Sequence, residues 1–362
     1  MNQHKKSTVK NNNENKNSDT SQNEFLKTPV SHINVQSNEN ISNIIESFNG
    51  TAFQSRNLAK CLKVMLDMLQ DPQRPTIFFG LAGAMVPGGL RQTLRDMLDL
   101  RIIDVLVSTG ANLYHDIHES LGFHHYLAQK KVSDLELRRN QINRMLDVYA
   151  SNKEFLKTDI FIKDFVDSLH PGTYSTRNLL FQLGNNLNDK NSILFTAAKN
   201  KIPVFCPTIT DSGIGLCLAW HTKKRKEEGR KPILVDMIQD NLDILNLKIK
   251  SKITGAIHIG GGVPKNYIQQ IGPLAELFEI NTPSHAYGIQ ITTDDPKWGG
   301  LSGSTFNESQ SWGKYTDNAK FSTVYMDATI GLPLLFKACI EKKKVWYPRK
   351  SLQIDTDKLF NE

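Results

Sequence analysis

Between residues 53 and 342 the chain alternates short, continuously apolar runs with longer segments of helical spacing. This alternation limits the fold more than any other feature of the sequence. The segment "FQSRNLAKCLKVMLDML" (53–69) carries Leu58, Cys61, Leu62, Met65, Leu66 and Leu69 on one stripe, the period of an amphipathic helix. After the turn "QDPQRP", "TIFFGLAG" reads as a buried strand, "GGLRQTLRDMLDL" as a helix with a glycine-rich start, "RIIDVLVSTG" as a strand and "LYHDIHESL" as a helix. The second half repeats the pattern, with strands at "IPVFCPTITD", "KPILVDMI", "ITGAIHIGGG", "AYGIQITT" and "FSTVYMDA". Helices are expected at "GIGLCLAWHTKKRKE", "QDNLDILNLKIKS", "PKNYIQQIGPLAELF" and "TIGLPLLFKACIEKKK". Apolar strands separated by helices predict an α/β architecture. The expected fold is a Rossmann-like, doubly wound, mostly parallel sheet with helices on both faces, in a single large domain.

That domain is expected to span residues 43–345. Residues 1–42 are rich in Asn, Lys and Ser. Such a composition buries too little apolar surface to offset its ordering entropy, so a disordered tail is expected there. Residues 346–362 are expected to form a C-terminal tail. With 39% hydrophobic and 22% charged residues, the composition is that of a soluble globular protein. No window approaches the roughly 20 apolar residues that span a bilayer, and the polar N-terminus lacks the apolar run of a secretory signal. Cys61, Cys206, Cys217 and Cys339 form no CxxC pair, and no histidine stands at zinc-ligand spacing. Reduced buried thiols, no metal and a cytoplasmic location are the expectation. The net charge of +7 comes visibly from "KKRKEEGRK" (223–231) and "KKKVWYPRK" (342–350), which read as a solvated loop and a solvated tail. A nucleic-acid face would need more charge with interleaved aromatic residues. Neither nucleic acid nor a membrane is an expected partner.

Ligands of such sheets bind outside the carboxyl ends of the strands. Here those ends read "GLAGAMVPGG", "STGANLYHD", "CPTITDSGIG", "IGGGVPKN", "ITTDD" and "MDAT", rich in Gly, Ser, Thr and Asp. Small residues let a ligand approach the backbone, and backbone N–H groups at a helix start cradle phosphate. "IGGGVPKN" (259–266) suits a pyrophosphate but fails the GxxxxGK[ST] and GxGxxG spacings, so a structural glycine turn fits it equally well. Asp211 and Asp327 each precede a helix and read either as ligand-binding carboxylates or as helix caps. His115, Asp116 and His118 in "LYHDIHES" lack a companion carboxylate at a compelling spacing and read as surface helix residues. In "ESQSWGKY" (308–315), Lys314 follows Trp312 and Gly313. A lysine becomes a nucleophile when burial lowers its pKa, and Trp312 offers a low-dielectric wall and a face for a cation. Glu308 offers a carboxylate for that cation or for proton movement. A solvated loop lysine is the simpler reading of the composition.

Taken together, these segments resemble the deoxyhypusine synthase family over roughly residues 50 to 342. The resemblance rests on "DVLVSTG", "PVFCPTITDSGIG", "GGGVPKN" and above all "SWGK" followed by "VYMDAT". It implies an NAD-dependent enzyme that moves a 4-aminobutyl group from spermidine, through an imine on a lysine, to an acceptor amine. By the same resemblance Lys314 is that lysine, and Glu308 and Trp312 hold the polyamine. Thr109, Asp211, Gly261, Gly262, Thr293, Ser302 and Asp327 match family positions around NAD, with Asp211 near both ligands. Leu216, Leu301 and His115 stand where the family places acidic residues for the polyamine's outer amines. Asn266 stands where the family has a histidine. These departures lean the expectation toward a small acceptor amine such as putrescine, giving a homospermidine-type product, or toward a changed donor. The alternatives are a true deoxyhypusine synthase acting on a lysine of a translation factor, or a non-catalytic NAD- or polyamine-binding protein. The family also implies a homotetramer with active sites at subunit interfaces.

Overall fold

The computed structural model describes residues 26–37, 39–128, 132–300 and 303–352. Residues 1–25 of the expected N-terminal tail, residues 353–362 of the C-terminal one, and Leu301 and Ser302 lie outside the described residues.

Six strands form the central sheet. They are β1 (Thr76–Leu81), β2 (Val105–Ser108), β3 (Val204–Phe205), β4 (Thr254–Ile259), β5 (His285–Thr292) and β6 (Tyr315–Tyr325). Their order is β6-β5-β4-β1-β2-β3, and every neighbouring pair is parallel. The chain therefore winds outward from β1 to β3, returns to β4 on the other side of β1, and winds outward again to β6. The order reverses between β1 and β4, which is where such sheets open a crevice for ligand.

Alternation along each strand separates two buried faces. Ile77, Phe79 and Leu81 of β1, with Ile257 and Ile259 of β4, join one core with the helices Phe53–Gln70, Arg91–Asp99 and Ala328–Glu341. Phe78, Val105, Val107 and Ala256 point the other way, against the helices Met237–Ile249, Gly262–Gln269 and Ile271–Leu277. The sheet is thus doubly wound, as expected. The stripe expected on the first helix is buried at Leu58, Cys61, Leu62, Met65 and Leu69, with Leu66 half-buried against the same core. All four cysteines are free and buried.

Two sequence expectations need correction. "KPILVDMI" contributes only Leu234–Val235, which pairs with Thr173–Tyr174 in a separate two-stranded ribbon rather than joining the main sheet. "KKKVWYPRK" is not uniformly solvated, because Trp346 and Arg349 are buried. Trp346 donates its ring N–H to the Cys339 carbonyl at 3.0 Å. Arg349 pairs with the fully buried Asp104 at 2.9 Å, and Arg74 grips the same carboxylate at 2.6 Å. Burial raises the Asp104 pKa most strongly, yet the two guanidiniums reverse this and hold it below the usual carboxylate range.

Asp104 thus clamps the chain beyond the last helix onto the amino edge of the sheet. Replacing it by alanine leaves the Arg349 guanidinium buried without its counter-charge. Asp104→Ala is expected to cost roughly 3 to 5 kcal/mol in urea unfolding. A loss below about 1 kcal/mol, the scale of a surface ion pair, would contradict this role.

Candidate functional site

At the carboxyl edge, Leu81 lies opposite both Ser108 and Ile259, and Ile259 lies opposite Ile291. The loops after these strands consequently leave the sheet side by side. Fully buried Asn112 ties two of them together. Its side-chain oxygen accepts the Met85 N–H at 2.6 Å, and its amide donates to the Gly83 carbonyl at 3.1 Å and to Thr109 Oγ1 at 2.9 Å. The Thr109 hydroxyl donates in turn to the Gly83 carbonyl at 2.7 Å. Gly260 sits at φ +71°, and a Cβ added there would stand 3.1 Å from the Ala82 Cβ, so the backbones after β1 and β4 approach closely. Gly261 then opens the helix Gly262–Gln269 without any side-chain cap. The first-turn N–H groups of that helix are available to a ligand.

These loops enclose a cleft of about 1000 Å³. Its walls include Thr109, Asp211, Gly261, Gly262, Thr293 and Asp327, which are the expected cofactor residues apart from Ser302. Asp211 is not the helix cap that its position allows. Ser212 caps the following helix by accepting the Gly215 N–H at 3.3 Å, and Asp211 stays exposed on the cleft wall. Asp327 takes both parts. Its Oδ1 accepts the Thr329 N–H at 2.7 Å and the Thr329 hydroxyl at 2.6 Å, which holds its pKa below the usual range, and it also lines the cleft. Sequence reasoning missed a flap over this cleft. Strands Tyr126–Leu127, Ile142–Met145 and Val148–Ser151 form a small antiparallel sheet that presents Leu127, Leu146 and Asp147 to the cavity. Among the described residues the lining carries four carboxylates, Asp147, Asp211, Asp294 and Asp327, and no lysine or arginine.

Lys314 does not line that cleft. It immediately precedes β6, so its backbone lies at the amino edge of a parallel sheet whose carboxyl edge bears the cleft. There its N–H donates to the Ser309 carbonyl at 3.1 Å and its carbonyl accepts the His285 N–H at 3.0 Å. Only 7% of the residue is exposed, which fits a buried amine and not the solvated loop lysine that composition alone suggested. The amine stands 5.5 Å from the centre of the Trp312 ring, which is itself largely exposed. Burial pulls the Lys314 pKa below its ordinary value, and the nearby Glu308 carboxylate opposes that shift. A second lysine that sequence reasoning did not select lies close by. Lys265, buried on the helix Gly262–Gln269, donates to Gln290 Oε1 at 2.9 Å and to the Ser304 carbonyl at 2.7 Å. Burial pushes it down to about 8, with Glu308 raising and Lys314 lowering its pKa. One carboxylate thus faces two buried amines, and Asn266 is exposed on the same helix as Lys265.

The histidines of "LYHDIHES" correct another expectation, because His115 and His118 are buried, not superficial. Both pack against Phe155, a residue of the helix Asn152–Ser168. His115 Nδ1 meets His125 Nε2 at 2.9 Å, and His125 Nδ1 meets Glu119 Oε1 at 2.7 Å. Burial, followed by the neighbouring His125, pulls His115 down to about 3 and His118 to about 4. Asp116 is a structural hub, accepting from Arg91 at 2.7 Å and from the Ser192 hydroxyl at 2.8 Å. Leu216 is largely exposed, at 71%.

The model of the deoxyhypusine synthase family matches residues 43–339. A protein of Methanosarcina acetivorans named "Probable deoxyhypusine synthase 2" is 40% identical over 326 residues, covering 88% of this chain and 92% of the relative. One of the same name from Archaeoglobus fulgidus is 41% identical over 300 residues, covering 82% and 97%. The crystal structure of a candidate deoxyhypusine synthase from Entamoeba histolytica superposes with a TM-score of 0.60 at 20% identity, covering 90% of this chain and all of that one. That structural likeness establishes the fold.

The surroundings of Lys314 predict its reactivity. In competitive acetylation followed by mass spectrometry, Lys314 is expected to titrate below the ordinary lysine value of 10.5. Glu308→Gln removes the charge that favours the ammonium, so the midpoint should fall further. An upward shift in that variant, or a wild-type midpoint at or above the ordinary value, would contradict the described environment.

Proposed function

The chain belongs to the deoxyhypusine synthase family, and from that membership we propose that it is an NAD-dependent aminobutyltransferase. In this reading a 4-aminobutyl group is transferred from spermidine, or a related polyamine, to a covalent imine on Lys314 as the diaminopropane portion leaves. An acceptor amine then displaces the lysine, with NAD as the carrier of the hydride removed and returned. The observation that carries the reading is Lys314 itself, a residue 7% exposed whose amine stands 5.5 Å from the centre of an indole ring, with its pKa depressed by burial. A neutral amine has the lone pair needed to attack an electrophilic carbon, and a water-poor setting protects the resulting imine from hydrolysis. Glu308 is assigned to the polyamine's ammonium groups, and Trp312 to a wall against which its methylenes and charge rest.

The cleft at the switch point fits a dinucleotide. The close approach of Gly260 to Ala82 and the uncapped helix start at Gly262 form a cradle that side chains would obstruct. Gly261 and Gly262 would hold the pyrophosphate, with Thr109, Asp211, Thr293 and Asp327 around the sugars. NAD supplies the hydride acceptor and donor for such a transfer. Among the described residues, the cleft's four aspartates and lack of basic side chains support a cofactor without a 2′-phosphate. The same carboxylates favour cationic substrates.

Two features support a small acceptor amine over a protein lysine. Leu216 and His115 bring no carboxylate to positions where the family binds outer amines. His115 is moreover engaged with His125. Within one chain Lys314 and the cleft belong to opposite edges of the sheet. That separation supports an assembly in which one subunit's lysine serves another's cleft, as in the homotetramer that the family implies.

The acceptor is tested by incubating the protein with NAD and spermidine labelled in its butylamine part. Putrescine, or a protein carrying the acceptor lysine, is added in parallel reactions. Label in homospermidine is the expected result. Label appearing only in the added protein would overturn the small-acceptor reading in favour of deoxyhypusine synthesis. Replacing NAD by NADP should lower turnover at least about tenfold, the scale of one lost charged contact.

A further inference from the structure

A second cavity, of about 480 Å³, lies behind the Lys314 loop and is distinct from the cofactor cleft. Lys248, Glu276, Glu279, Asn281, Thr282 and Gly313 are among its walls. Lys248 ends the helix Met237–Ile249 and is 1% exposed. Its carbonyl accepts the Ser251 N–H at 3.0 Å, but among the described residues its ammonium makes neither a hydrogen bond nor an ion pair. Burying an ammonium without a partner costs several kcal/mol, so such a group seeks an anion or stays partly neutral. Burial alone pulls Lys248 down to about 8. His285, which the Lys248 charge helps to keep neutral, is enclosed between Phe78 and Tyr315 and brings no counter-charge.

The rim has the opposite character. Glu276 and Glu279 are exposed at the mouth, and Glu276 Oε1 lies 3.7 Å from where a Cβ on Gly313 would stand. Ser284 spends its hydroxyl on the Gly313 carbonyl at 2.6 Å, while Asn281 and Thr282 offer an amide and a hydroxyl to a ligand. A dianion would meet repulsion at the rim, and a diamine would meet repulsion at the floor. We propose that this cavity binds an amino-acid zwitterion, its carboxylate on the Lys248 ammonium and its amine between Glu276 and Glu279. The occupant would touch Gly313, the residue next to Lys314, and so bear on the reactive loop from behind. The site uses none of the groups assigned to transfer, so it stands or falls independently of that activity.

Isothermal titration calorimetry on the full chain, with γ-aminobutyrate, butyrate and butylamine as probes, tests the assignment. The zwitterion should bind at least about tenfold tighter than either singly charged analogue, because each analogue forfeits one charge contact. Lys248→Met should weaken γ-aminobutyrate at least about tenfold while melting at a higher temperature than the wild type, since it removes an unpaired buried charge. Loss of binding in that variant therefore could not be ascribed to unfolding. Glu276→Gln with Glu279→Gln should weaken γ-aminobutyrate and leave butyrate no weaker. Butyrate binding as tightly as the zwitterion, unchanged affinity in Lys248→Met, or no heat with any probe would each overturn the proposal.

Discussion

Strand β1 is the constraint on which the molecule depends. All six of its residues are buried, and it pairs in register with β2 on one side and β4 on the other. Because the winding reverses at this strand, the chain after β1 and after β4, in close approach at Ala82 and Gly260, turns to helices on opposite faces and leaves a crevice beyond. Gly80 lets the helix Gly262–Gln269 settle on β1, since a Cβ there would reach 3.1 Å from the His258 ring and 3.2 Å from Ile268. The same helix opens on the cleft at its start and carries Lys265 further along. One close packing contact therefore positions both the uncapped helix start on the cleft and part of the amine cluster.

Charge is distributed differently in the two regions. The cleft is acidic, while the region near Lys314 sets two buried amines against the single carboxylate of Glu308. Burial pulls both amines down, and their mutual repulsion adds to this for Lys265. An amine in such a setting is poised to act as a nucleophile without a dedicated base. The Lys314 backbone at the amino edge of the sheet is set apart from the cleft at the carboxyl edge.

Much of the fold was legible because its strands are buried on both faces and read as unbroken apolar runs. The cleft was legible for a related reason, since ligand loops in such a sheet must follow strand ends, and those ends were rich in glycine and aspartate. Other features depend on contacts that periodicity does not encode. "KPILVDMI" resembles a core strand, but only its pairing with Thr173–Tyr174 shows that it lies outside the main sheet. His115 and His118 look superficial until Phe155 and His125 close over them from other segments. The exposed tail suggested by "KKKVWYPRK" ignored Asp104, whose carboxylate draws Arg349 inward from the opposite end of the sequence. Lys314 was singled out by its indole neighbour, yet its burial beside Lys265 and its distance from the cleft appeared only in three dimensions.

The central claim is that Lys314 carries the aminobutyl group between donor and acceptor. Incubating the protein with NAD and spermidine in the absence of an acceptor, then reducing with borohydride and digesting, tests it most directly. The account predicts a stable aminobutyl adduct, located by mass spectrometry on the peptide containing Lys314 and absent when NAD is omitted. An unmodified Lys314, or an adduct on another lysine, in a preparation that goes on to transfer the group when acceptor is added, would contradict it.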